Sequence, residues 1–356
     1  MTLRFHCLWV GSLLLSPTLL TADVADRAGL ECAAQITQGG CTVERALELL
    51  SSAETPHALY VKAGLKMMSR APDAQSQANA LIRRAAELGL AQAQFDLGMA
   101  ALRRAEPVEA EKMLKAASDQ SHVEARYALG VAYMLGDVLA QNWYEGSFLL
   151  EEAAALDHVD AVFQTGRLYL DGFGVSQDLN RAEILFAKAG YLGRTDGYYE
   201  AAAAVLRHRS VDRNYGKALE YALKAAAQGH AFAMILAGDI LRDGPDYLRD
   251  DKAARQLFQE AAQSATQAAA AVGRERLSQT RGPSIADAIR SDHDPSRDTD
   301  VSTGAILFGT GMALMILGAQ SDSSDVGPTP YSPLYDHYSS TVHTWSGIGI
   351  GEVGRP

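Results

Sequence analysis

The 356-residue chain is poor in cysteine, with three, and in aromatic residues, at 7%. It also has no block rich in lysine and arginine. A formal charge of −11 excludes the basic face that phosphate-backbone recognition needs, so no nucleic-acid partner is expected. There is no G-x-S-x-G nucleophile elbow, no H-E-x-x-H zinc helix and no phosphate-binding P-loop. No catalytic residue, metal site or cofactor is therefore assigned, and the chain is not read as an enzyme. No N-x-S/T acceptor is present either: Asn79, Asn142, Asn180 and Asn214 all lack the following hydroxyl residue.

The chain does have much alanine, within a 47% hydrophobic content. Small, strong helix formers suit closely packed helices better than strands. Taking Ala189 as an anchor, equivalent alanines stand at Ala85, Ala117, Ala153, Ala225 and Ala261, mostly 36 residues apart. Thirteen after the anchors come Gly98, Gly130, Gly166, Ala202 and Gly238, and seven before them Ala78, Ala110, Gly146, Ala182, Ala218 and Ala254. Two small-residue columns in phase let neighbouring backbones approach. Larger residues fill the space around them: Leu114, Leu150, Phe186 and Phe258 three before the anchor, and Phe95, Tyr127, Phe163, Tyr199 and Ile235 ten after it.

Each period therefore reads as two antiparallel helices. First helices are predicted near 91–104, 123–135, 159–171, 195–208 and 231–243, and second helices near 107–120, 143–156, 179–192, 215–228 and 251–264. A degenerate capping unit precedes them, with helices near 43–53, 57–68 and 74–88, and a helix at 266–279 closes the far end. Gly89, Gly193 and Gly229, four after their anchors, mark helix ends that require positive φ. The fold class is all-α, a right-handed α-solenoid, and its units are stable only when stacked.

The third unit, AVFQTGRLYLDGFGVSQDLNRAEILFAKAG, resembles the Sel-1-like repeat, a relative of the tetratricopeptide repeat. Tyr169, Gly172, Gly174, Val175, Asp178, Arg181, Ala182 and Phe186 match its pattern in order. KALEYALKAAAQGHA matches around Lys217 and Ala218, whereas the fourth unit lacks the glycine turn and the second keeps only Gly136 of it. The resemblance spans about 74–280 and implies an adaptor whose first helices line a concave groove for partner proteins or peptides. Gln94, Arg126, Arg167, Tyr198 and Asp239, nine or fourteen after the anchors, are the candidate groove residues; an ordinary solvated face is the alternative. His122, His158 and His230 share one repeat position, five after the anchor. Their layers are too far apart for one metal centre, so they read as structural.

The flanks carry targeting signals. Residues 1–22 read as a signal peptide: Arg4, an apolar run from Cys7 to Leu20 broken by Pro17, then Thr21-Ala22 before Asp23. An uncleaved anchor helix is the alternative. Cys32 and Cys41 remain as an even pair in an exported chain, which favours a disulfide pinning the capping region 23–73. Residues 281–300 read as a linker, and VSTGAILFGTGMALMILGA at 301–319 as a transmembrane helix that would anchor the protein to a membrane. Arg281, Arg290 and Arg297 before this run favour the opposite orientation to the one a cleaved signal imposes. A tail, 320–356, follows. The expected location is the bacterial periplasm, with the chain membrane-anchored. A eukaryotic lumenal quality-control adaptor has the same order of parts, but the missing glycosylation acceptors favour bacteria. An exported hydrolase on a repeat scaffold is the third reading, and it would need a polar cluster with perturbed pKa values.

Overall fold

A computed structural model describes residues 24–69, 71–207 and 214–278. The described residues form 15 α-helices and two short 3-10 turns, with no strand among them. They fall into two compact units, one ending at Ala140 and the other beginning at Gln141. The predicted signal peptide, linker, transmembrane helix and tail lie outside the described residues. Within those residues, no helix is long and apolar enough to cross a membrane.

The first unit holds α1 (Val24–Gln35), α2 (Val43–Leu49), α3 (Pro56–Met68), α4 (Ala74–Glu87), α5 (Ala91–Arg103), α6 (Pro107–Asp119) and α7 (Val123–Leu135). Sequence periodicity does not reveal α1. It packs on α2 and α3 through Leu30, Cys32 and Ala33, and Gly29 leaves room for Leu50. The Thr55 hydroxyl donates to the buried Asp26, tying α1 to the start of α3. Cys32 and Cys41 are joined in a disulfide with a Cα–Cα separation of 5.4 Å. Closing so short a loop contributes on the order of 2–3 kcal/mol.

The second unit holds α8 (Trp143–Ala155), α9 (Val159–Asp171), α10 (Leu179–Tyr191), α11 (Gly197–Arg207), α12 (Tyr215–Ala227), α13 (Ala231–Asp243), α14 (Asp251–Ala262) and α15 (Gln267–Ser278). Successive helices pack on one another in chain order. The helices of the predicted pairs begin and end within two residues of their expected bounds, whereas the capping helix expected at 43–53 ends at Leu49. All six anchor alanines are completely buried, as are Ala78, Ala110, Ala182 and Ala218 seven residues before theirs.

Two capping columns set the helix starts. Asn142, Asp178, Asn214 and Asp250, spaced by 36, each accept a hydrogen bond from the backbone N–H three residues on, at 2.8–3.2 Å, and so open the second helices. His122, His158 and His230 do the same for first helices: each Nδ1 accepts from the N–H of Ala125, Ala161 or Ala233 at 3.0–3.2 Å. The shared histidine position is a helix cap. Gly89, Gly193 and Gly229 have φ of 92°, 97° and 85°, as their helix ends require.

Candidate functional site

The residues matching the Sel-1-like pattern build the turn between α9 and α10. Gly172 ends α9 in the left-handed conformation at φ 81°, and Gly174 follows at φ 71°. A Cβ on Gly174 would lie 2.3 Å from the Trp143 carbonyl oxygen, so the turn sits directly on α8. Phe173 packs against Trp143, with ring centroids 5.3 Å apart. The Tyr169 hydroxyl donates to Glu151 and accepts from Arg181 Nη1 at 2.6 Å, which holds the two ends of the turn together. Asp178 then caps α10, and Phe186 packs over Gly166.

The five candidate groove residues separate into two sets. Those nine after an anchor reach back to the end of the preceding second helix, to the residue eight positions earlier in each case. Gln94 Nε2 donates to the Ala86 carbonyl at 3.2 Å, and Gln94 Oε1 accepts from Gln120 at 2.7 Å. Arg126 Nη2 donates to the Ser118 carbonyl at 3.0 Å. The Tyr198 ring lies over Gly190 and stacks on Tyr221 at 6.2 Å, with Lys224 Nζ 5.7 Å from both ring centres. These three side chains join helices to one another.

Fourteen after the anchor, Arg167 and Asp239 lie on a different face of their helices. Asp239 is fully buried. Its carboxylate accepts from Arg276 Nε on α15 at 3.1 Å and from Arg242 at 3.1 Å, so it is committed to docking the last helix. Arg167 is buried too, and its Nη2 has no hydrogen-bond partner among the described residues.

Arg167 belongs to a polar cluster in the second unit that the sequence columns do not single out. Glu200, on α11, is buried. Burial raises the Glu200 pKa, and the charges of Arg207 and Arg167 partly offset this. Burial lowers the Arg167 pKa; Glu200 and Asp171 counter the shift, while Arg194 and Arg207 add to it. Arg207 Nη1 is also buried without a partner among the described residues. Glu200 stands eleven after its anchor, Arg167 fourteen, and Asp171 and Arg207 eighteen. Offsets of three, four and seven share one helix face. Gln164, buried, occupies the eleventh place on α9, and Asp96 occupies it on α5 in the other unit. The detectable signal was this stripe of polar residues in otherwise apolar first helices. Among the described residues, no three His, Cys, Asp or Glu side chains come together as a metal site.

The Sel1 repeat family model matches residues 123–158, 159–193, 197–230 and 231–265. The chain is a Sel1-like repeat protein. Solved structures with the same fold include a protective antigen present in uropathogenic Escherichia coli strains, described as displaying an SLR fold. It is 18% identical with a TM-score of 0.61, and the match covers 71% of this chain and 56% of that one. The chain therefore spans little more than half of that antigen. A Sel1 repeat protein from Oxalobacter formigenes is 23% identical with a TM-score of 0.50, and its match covers 69% of this chain and all of the other. Curated proteins give no significant match. At these identities the similarity establishes the fold of this Sel1-like chain and nothing narrower.

Proposed function

We propose that this Sel1-like repeat protein is an exported adaptor of the bacterial envelope, which holds partner proteins or peptides on the surface of its first helices. It acts by holding rather than by chemistry. One observation carries the reading: the polar stripe of Gln164, Arg167, Glu200 and Arg207 on successive first helices α9 and α11. Buried polar groups cost stability unless partnered. A stripe of them on a rigid scaffold fits a surface whose partners come from another molecule. Export is supported by the Cys32–Cys41 disulfide, since such bonds persist in oxidising compartments. In this reading 1–22 directs export and 301–319 anchors the chain.

A photocrosslinking residue in place of Arg207, half-buried at the end of α11, should join the protein to a partner that a reciprocal pull-down recovers. The same residue at the exposed Ile184 on α10 should not. Equal capture at both positions would remove the first-helix surface from the proposal. Location is tested separately, by protease treatment of spheroplasts with tags before Arg281 and after Pro356. Cleavage before Arg281 with a protected tail fits an exported, anchored chain. Protection of both tags would place the repeats in the cytoplasm and overturn export.

A further inference from the structure

Three second helices of the second unit, α8, α10 and α12, leave large apolar side chains in solvent. Tyr144 is 75% exposed, Phe148 49%, Ile184 64%, Tyr191 81% and Leu223 42%. Relative to the anchors Ala153, Ala189 and Ala225, they occupy the places nine, five and two before and two after. Those places follow one another by four, three and four residues. On a helix with 3.6 residues per turn they fall within one arc of about 60°. Neighbouring second helices are tied side by side. Lys188 Nζ on α10 donates to the Ala154 carbonyl of α8 at 3.3 Å, and the Tyr221 hydroxyl on α12 donates to Glu183 of α10 at 3.1 Å. The five side chains therefore share one face across three helices. It stops at α14, where the same four places hold Lys252, Gln256, Gln259 and Gln263.

The size of this face fits a second protein surface. With ~150–250 Å² per aromatic side chain, the exposures leave on the order of 500 Å² of apolar area. That is about the apolar share of the ~800 Å² that each partner contributes to a stable interface. Charge narrows the occupant. Lys188 pairs with Asp157 at 2.5 Å, Lys217 with Glu183 at 2.5 Å and Lys224 with Glu220 at 2.7 Å. Arg181 donates to the Tyr169 hydroxyl at 2.6 Å, and α8 has no cation. An anionic membrane surface calls for basic side chains able to meet it, and a charged partner calls for an unpaired opposite charge. The face offers neither. It matches a surface as apolar and neutral as itself, which a two-fold axis supplies by setting the patch against its own copy.

We propose that this face joins two copies of the chain into a two-fold dimer, with α8, α10 and α12 of one copy against those of the other. Tyr144, Phe148, Ile184 and Tyr191 form its centre. The dimer goes beyond the adaptor reading and does not rest on it, because it uses second helices alone and leaves the first helices to a partner.

The test co-expresses two copies of the full-length protein that carry different affinity tags. A photocrosslinking residue at Ile184 should give a product of twice the chain mass that carries both tags. The same residue at Gln256, the equivalent place on α14, should not. Tyr144→Glu with Tyr191→Glu in both copies should lower the yield at Ile184 by at least about tenfold. Both side chains are so exposed that folding does not depend on them, and circular dichroism checks that it is unchanged.

A doubly tagged product formed equally at Gln256, or one that persists in the folded double variant, would overturn the dimer. So would an Ile184 product that contains a different protein or a lipid, one that stays at the mass of a single chain, or no product at all. A second copy captured at Ile184 is distinct from the foreign partner sought at Arg207, so either reading can fail while the other stands.

Discussion

The ring of Phe186 on α10 occupies the space that a side chain at Gly166 on α9 would need: a Cβ there would lie 2.9 Å from Cδ1. The same relationship joins Gly98 to Leu114 at 2.6 Å and Gly238 to Phe258 at 2.5 Å. Each pair links the glycine thirteen after one anchor to the large residue three before the next. Helix approach in these pairs is therefore set by a matched small and large residue, as ridge-into-groove packing demands.

Gly166→Ala should destabilise the protein by about 1–3 kcal/mol, the usual cost of overpacking a filled core. Phe186 is completely buried and has no solvent side to move towards. In a Phe186→Leu background the same substitution should cost less, because the aromatic edge is gone. Urea denaturation of the four variants gives the coupling directly, and additive effects would show that the two residues do not set the approach.

This pairing was half legible in the sequence. Both columns were visible as spacing, but not which residue faces which. The fourth unit shows that the match was there to be read: Ala202 stands where the others have glycine, and Ala222 stands where they have Leu114, Phe186 or Phe258. The helix boundaries were legible because apolar periodicity and positive-φ glycines agree. The helix α1 was not, since Gly29 interrupts it and its order depends on distant Leu50 and Thr55. The groove was read least well. Offsets from an anchor place residues on a helix face, but only packing shows that Gln94, Arg126 and Tyr198 face the preceding helix.

Ser121 and Asp157 take the place that Gly89, Gly193 and Gly229 hold in other units, with φ of 63° and 59°. A side chain in this left-handed region costs roughly 1–2 kcal/mol relative to glycine. Ser121 is exposed, and Ser121→Gly should raise stability by about 0.5–1 kcal/mol, with the unfolded chain's added freedom offsetting part of the gain. Thermal denaturation should show a higher Tm for Ser121→Gly and none for Ser121→Ala. A gain from alanine would mean that backbone strain is not the cause.

Asp239 holds α15 to α13 through Arg276, and both side chains are buried. Asp239→Ala should cost about 3–5 kcal/mol, because it strands a buried guanidinium. Replacing both partners, Asp239→Leu with Arg276→Met, should recover most of that loss, since an apolar pair needs no charge compensation. Limited proteolysis will report the docking of the last helix: cleavage between Ala262 and Gln267 should rise in the single variant and fall back in the double. A double variant as labile as the single would show that the pair does more than neutralise charge.

Asp96 accepts from the Tyr60 hydroxyl at 2.6 Å and from Gln92 Nε2 at 3.2 Å, and burial pushes its pKa from 3.8 up to about 7. Between those two values the folded protein keeps a proton that the unfolded chain has released. The stability contributed by protonated Asp96 is therefore complete below pH 3.8 and is lost as pH rises through about 7. Asp96→Asn stays neutral at every pH and keeps an acceptor oxygen for Tyr60. It should match the parent protein near pH 3.5 and exceed it by about 4 kcal/mol near pH 8, the gap opening as pH rises from 3.8 to about 7. His122 changes stability in the opposite direction, because burial lowers its pKa and its cap on α7 needs the unprotonated Nδ1. Both proteins carry His122, so its contribution cancels in the difference. Urea denaturation at the two pH values isolates Asp96, and parallel pH profiles for the two proteins would show that this carboxylate is already ionised in the fold.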